Sequence, residues 1–277
     1  MTFHFPPLLR LVVLAVLVAC PIGFALADPF QLYAAGSLRE AMQALVKESG
    51  LPEGSFAKPV FGPAGSLRER LEKGEQADLF ASADMAQPEK LKREKPDVLV
   101  VPFARNRMCA IAKSSLGLTP ENLVDRWLSS DVRIATSMPG ADPGGDYAMA
   151  VFDRAEALHP GAAALLKAKA LHPFGPQGIK PLLGHGPAES LFLGDHADAL
   201  ISYCSGTPAL LAGVPGLVSI PLPESLEVHP VYGFAVLSRD PAAERFALFV
   251  LSDAGQAILQ KHGFLPLDGA GPKTENP

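Results

Sequence analysis

Three cysteines and seven histidines are the only thiol and imidazole ligands in 277 residues, and they never cluster at zinc spacing. A zinc site built from these residues is therefore not expected. Basic residues are also few and scattered: 24 Lys and Arg stand against 29 Asp and Glu, for a formal net charge of −5. No stripe of positive charge exists to neutralise a phosphate backbone, which argues against nucleic acid as a partner. Repeats and low-complexity linkers are absent, and the 27 prolines are spread out as punctuation between short elements. The length suits one large domain or two modest lobes.

The apolar N-terminus stands apart. Residues 1–27 carry one Arg, an apolar run from Leu11 to Ala19 and the small-x-small ending Ala25-Leu26-Ala27. The pattern is that of a secretory signal peptide cleaved near Ala27. The apolar run is too short for a membrane span, and Pro21 interrupts it. Leu17-Val18-Ala19-Cys20 also reads as a lipobox, but the apolar stretch after Cys20 lacks a lipoprotein's polar tether. Export places Cys109 and Cys204 in an oxidising compartment, where they form either a disulfide or two small buried residues. The spacing leaves both open.

From Phe30 onward, short apolar runs alternate with helical periodicity. "FQLYAA", "AKPVFG", "ADLFASA", "RMCAIAK", "VRIATS", "ADALISYC" and "VYGFAVLS" read as strands. "SLREAMQALVKESG", "GSLRERLEKGE" and "DYAMAVFDRAEAL" read as helices, and "AAERFALFVLSDAGQAILQKHG" as one long final helix. The alternation predicts mostly parallel sheets flanked by helices, with a loose polar tail over 268–277.

The strand-to-helix turns carry the functional signal. "AAGSLREAM" and "GPAGSLRERL" share Ala-Gly-Ser-Leu-Arg-Glu, so Ser37 and Ser66 each fall near a helix N-cap. One such turn is an ordinary cap; two brought together offer N–H groups and hydroxyls to an anion without any cation. A third turn, "TSMPGADPGGDYAM", has glycines that permit close backbone approach, with Asp142 or Asp146 placed to cap the next helix. A fourth enters its helix through Gly184-His185-Gly186-Pro187. Tyr203 ends a strand, at the core edge or as a hydrogen-bond donor.

Together "LYAAGSLREAM", "FGPAGSLRERLEKGEQADLFASAD", the Pro-Gly-Gly loop, "ISYCSG" and "GQAILQKHGF" resemble the periplasmic molybdate-binding proteins of ABC importers, collinearly from about Phe30 to Pro266. Both Ala-Gly-Ser-Leu turns and the Asp-Pro-Gly-Gly loop also resemble the related tungstate-binding proteins. The resemblance implies a type II periplasmic-binding fold, with residues 28–107 and 232–267 in one lobe and 108–231 in the other, and an oxoanion in the cleft. It places ligand contacts at Gly36 and Ser37, at Ala64, at Gly144, at His185 and at Tyr203. Ala64 stands where the family has a serine, so a hydroxyl is lost there; Ser66, two residues on, is placed to compensate. His185 replaces an apolar residue. Ser37 and Tyr203 would meet molybdenum or tungsten only through the oxoanion's oxygens, with no separate cofactor and no bare cation. The implied partner is a membrane permease, and the implied state a monomer. Two alternatives remain: another small anion or organic acid as cargo, and an exported hydrolase using Ser37, His185 and Asp142, for which no Gly-x-Ser-x-Gly elbow exists.

Overall fold

The structure, a computed structural model, describes residues 28–174 and 178–267. The expected signal peptide over 1–27, Cys20 and the tail from 268 lie outside the described residues.

Nine strands appear in chain order: β1 Leu32–Ala35, β2 Val60–Gly62, β3 Leu79–Ser82, β4 Leu99–Arg105, β5 Met108–Lys113, β6 Ile134–Ala135, β7 Ala199–Tyr203, β8 Leu217–Pro221 and β9 Val231–Val236. The α-helices are α1 Arg39–Glu48, α2 Ala64–Glu72, α3 Ala86–Glu94, α4 Leu123–Leu128, α5 Pro143–Ala155, α6 Ala162–Lys169, α7 Pro187–Leu193, α8 Thr207–Gly213, α9 Pro241–Leu251 and α10 Asp253–Lys261. The strands form two sheets, ordered β2-β1-β3-β9-β4 and β6-β7-β5-β8, each flanked by helices. This is a two-lobe α/β architecture. The chain leaves the first sheet at β4, crosses through Asn106 and Arg107 to β5 of the second, and returns to the first sheet at β9.

The sheets are mixed rather than mostly parallel. β1 pairs parallel with β2 and β3, and β6 with β7, but β9 runs antiparallel to both β3 and β4, and β5 to both β7 and β8. The strands that follow the crossings enter from the opposite end, so each brings two antiparallel ladders. Two strands were not anticipated. β4 has Pro102 within it and β8 exposes Val218 and Pro221, as sheet-edge strands permit.

The final helix is two helices. Ser252 is extended, with ψ 162°, and its hydroxyl accepts the Gly255 N–H, capping α10. A Cβ on Gly255 would lie 2.2 Å from the Phe249 carbonyl oxygen. Only glycine lets the first turn of α10 fold back so closely on α9.

Each lobe has an aromatic anchor. Phe103 and Phe234 stack at 4.1 Å in the first, and Trp127 packs edge-on against Phe152 in the second. The core is continuous between lobes: buried side chains of both sheets belong to one apolar cluster. Among the described residues, no helix is long and apolar enough to cross a membrane.

Candidate functional site

β1 ends in Ala35, and Gly36–Leu38 then form a single 3₁₀ turn before α1. That turn changes the job of Ser37. Neither Ser37 nor Ser66 caps its helix; the N-cap positions are Leu38 for α1 and Pro63 for α2, and neither makes a side-chain cap. The Ser37 hydroxyl instead meets the Tyr232 hydroxyl at 3.0 Å. Asn106, in the crossing, donates from Nδ2 to Tyr232 Oη at 3.2 Å and to Ser205 Oγ at 2.9 Å. One hydrogen-bonded chain therefore runs from the β1 turn of the first lobe through β9 and the crossing to the end of β7 in the second.

Tyr203 lies beside it. Its ring is 5.6 Å from that of Tyr232 and 6.3 Å from that of Tyr147. Tyr203 is 6% exposed, and its hydroxyl has no hydrogen-bond partner among the described residues. A buried unpartnered hydroxyl costs about 1–3 kcal/mol, which a ligand acceptor would recover. Burial, then the neighbouring tyrosines and acids, raise the phenol well above its usual range. It therefore stays protonated and is available as a donor. Burial and Asp84 push Tyr147 up to about 12.

Gly144 is the second residue of α5 and stands close against Tyr203. A Cβ would stand 3.2 Å from the Tyr203 ring, 3.5 Å from Ser137 Oγ and 3.6 Å from Asp142 Oδ1. The Gly144 N–H donates to Asp142 Oδ1 at 3.1 Å, so Asp142 is the cap of α5. Asp142 is half-buried and its carboxyl is raised, chiefly by burial and further by Asp146 and Asp84. Asp84 is 8% exposed, accepts from Ser82 Oγ and Gln87 N, and is also raised by burial.

Ala64 opens α2 and is fully buried, with Ser66 half-buried behind it. Between them, Gly65 touches the opposite lobe: a Cβ there would be 2.7 Å from the Ala141 carbonyl oxygen and 3.0 Å from that of Gly140. The two lobes meet backbone to backbone at this point. The first N–H groups of α2 have no intrahelical partner by helix geometry.

His185 is exposed and its Nδ1 lies 3.1 Å from Glu189 Oε2, four residues along. No contact joins it to the Ser37–Tyr203 group among the described residues, and so Ser37, His185 and Asp142 are not assembled as a triad. Cys109 and Cys204 are joined by a disulfide across β5 and the end of β7, with Cα atoms 5.0 Å apart. It clamps the residue directly after Tyr203.

A cavity of about 170 Å³ opens beside Ser37, lined by Gly36, Ser205, Gly206, Ala209 and His262 among others. A larger crevice of about 590 Å³ lies along the outer edge at β4 and α9, lined by Leu99, Leu248 and Leu251, and shares no residue with the site. No group of three or more potential metal ligands is found among the described residues.

Tyr232, Asn106, Tyr147 and Asp84 were missed by the sequence reading. A signal for two of them was available. Tyrosine is rare here, four in all, and three of the four gather at this cleft.

Residues 30–265 match the family described as bacterial extracellular solute-binding protein. Uncharacterized protein PM1146 of Pasteurella multocida is 36% identical over 243 residues, covering 85% of this chain and 98% of its own. Among solved structures, the periplasmic molybdate-binding protein of Azotobacter vinelandii is similar with a TM-score of 0.64 at 17% identity, covering 85% of this chain and 98% of that one. L-phospholactate-bound PEB3 also has a TM-score of 0.64, at 15% identity, covering 85% and 99%; Peb3 comes from Campylobacter jejuni. At these identities the structural likeness establishes the fold.

Proposed function

Because the chain belongs to the bacterial extracellular solute-binding proteins, we propose that it captures a small oxoanion between its lobes and delivers it to a membrane ABC permease, acting as an exported monomer. The observation that carries this reading is the buried, unpartnered Tyr203 hydroxyl, set beside the Ser37–Tyr232–Asn106 chain and the start of α5. Hydroxyls and N–H groups converge there without a lysine or arginine among those contacts.

Ser37 and Tyr203 supply hydroxyl donors from opposite lobes, and the first turn of α2 supplies N–H groups at Ala64, Gly65 and Ser66. Hydrogen bonds to a charged acceptor contribute about 1.5–3 kcal/mol each, so a handful of them offsets the loss of the anion's water. Only the approach of the lobes presents both sets together, which couples binding to closure. His185 has no part in this arrangement.

Molybdate, with tungstate, is the first cargo on the strength of the two Gly-Ser turns, the Asp-Pro-Gly-Gly loop and Tyr203. A phosphate-bearing organic acid is the second reading, favoured by Ala64 in place of a hydroxyl donor, by the carboxyl of Asp142 near Tyr203, and by the fold shared with phospholactate-bound PEB3. Titration calorimetry of the apo protein with molybdate, tungstate, sulfate, phosphate and phospholactate decides between them. Tight binding of molybdate or tungstate supports the first cargo, and preference for phospholactate the second. No heat with any of the five overturns the oxoanion reading.

A further inference from the structure

The oxoanion reading leaves one group unexplained: the Asp142 carboxyl beside Tyr203. Asp142 Oδ1 and the Tyr203 ring close on the same point, 3.6 Å and 3.2 Å from where a Gly144 Cβ would stand. A carboxylate has about four lone-pair positions; the Gly144 N–H takes one at 3.1 Å, which leaves capacity unused beside the Tyr203 ring. The Tyr203 hydroxyl is buried and has no partner among the described residues.

The surroundings do not neutralise this acid. On its own helix, Asp146 and Tyr147 face the cluster; from the turn after β3 comes Asp84; from β7 and β9 come Tyr203 and Tyr232. On α2, whose first turn packs on Gly140 and Ala141, Arg68 is committed to Glu72 and to Gln87 Oε1, and Arg70 to Glu75. Lys90 acts on Asp84 from α3, and His262 lines the cavity beside Ser37. An ionised carboxylate set beside a dianion in a partly dry cleft is strongly unfavourable. The two charges do not coexist.

We infer that an anion bound in this cleft is held together with one proton, shared with Asp142. This rests on the oxoanion reading above. A fully ionised anion draws the proton from solvent onto the Asp142 carboxylate, which then donates its O–H to an anion oxygen. An anion that arrives with its own O–H donates to the carboxylate, and solvent supplies nothing. No other bond is made or broken in either case. The raised carboxyl of Asp142 fits this use.

The test is calorimetry in pairs of buffers with different heats of ionisation, from about pH 6 to about pH 9, where sulfate and molybdate stay fully ionised. The inference expects uptake approaching one proton per molybdate or sulfate at the upper end, with affinity falling by up to about tenfold per pH unit there. Asp142→Asn keeps the cap oxygen and carries a permanent N–H donor. It is expected to bind, to take up no proton and to lose the pH slope, whereas a slope due to His262 would survive in this variant. Wild-type binding with no proton uptake, or an unchanged slope in the Asn variant, overturns the inference while leaving the receptor standing. Should the variant fold poorly, the wild-type buffer comparison decides alone. Absence of binding by every anion at every pH removes the oxoanion reading and this inference with it.

Discussion

β7 joins two regions that treat their acids in opposite ways. At its start, Asp198 accepts from Arg133 N, Nε and Nη2 and from Lys113 Nζ, at 2.8 to 3.0 Å, and Asp195 is held by the same two cations. Hydrogen bonds from Arg133, joined by Lys113, hold the Asp198 carboxyl well below the usual range. At the end of β7, Tyr203 faces Asp142, whose carboxyl is raised by burial and by two further acids. The first region is closed: every charge has a partner, and it ties β5, β6 and β7 together. The second is unbalanced, with an unpartnered phenol and a carboxyl short of a counter-charge. Strain of that kind, left uncorrected inside a well-made lobe, marks a place built for something else to occupy.

Four interventions break or sharpen the contrast, in order of expected effect. Removing the disulfide with Cys109→Ala and Cys204→Ala frees the site end of β7; a sequence separation of 95 sets a loss of about 4 kcal/mol in chemical denaturation. Asp198→Ala breaks the paired end, leaves Arg133 and Lys113 uncompensated, and costs about 3 kcal/mol of stability while anion affinity is retained. Tyr203→Phe does the reverse: melting temperature is held or slightly raised, and affinity falls about tenfold to a hundredfold, as calorimetry would show. The smallest effect is in the pH profile of stability. The Asp198 carboxyl is depressed in the folded state, so its stabilisation is complete above the unfolded value near 3.8 and disappears as pH falls towards the folded value. Asp142 is raised, so its ionisation costs stability as pH rises through the interval above 3.8. Asp198→Asn should flatten the acid limb of the melting curve against pH, and Asp142→Asn the opposite limb; equal slopes in both variants and wild type would erase the distinction.

Much of the fold was legible because strand-helix alternation is a local pattern. β1, β3, β7 and β9 are apolar runs, and α1, α2 and α5 carry clear periodicity. The edge strands β4 and β8 were hidden because prolines, Pro102 and Pro221, interrupt their apolar runs, and the break at Ser252 because two amphipathic helices in register look like one. The candidate site was half legible. Ser37, Gly144 and Tyr203 stand at turns with a reason for their residue type. Tyr232 and Asn106 belong to the site only through pairings of β9 with β3 and β4, contacts between residues more than a hundred positions apart that no local pattern encodes. The chemistry of Asp142 was hidden for another reason: it is an ordinary cap by sequence, and only the acids and phenols gathered around it give it a second meaning.

The contact at Gly65 carries a practical consequence. The lobes come together where a hydrogen atom, rather than a side chain, is the spacer. One added methyl, Gly65→Ala, lies in the first turn of a helix, where alanine is the better helix former. Yet it would collide with two carbonyl oxygens across the cleft. A propped-open receptor is thus one carbon away, with the Ser37 and Tyr203 hydroxyls untouched: a wedge for separating the encounter with cargo from the grip on it.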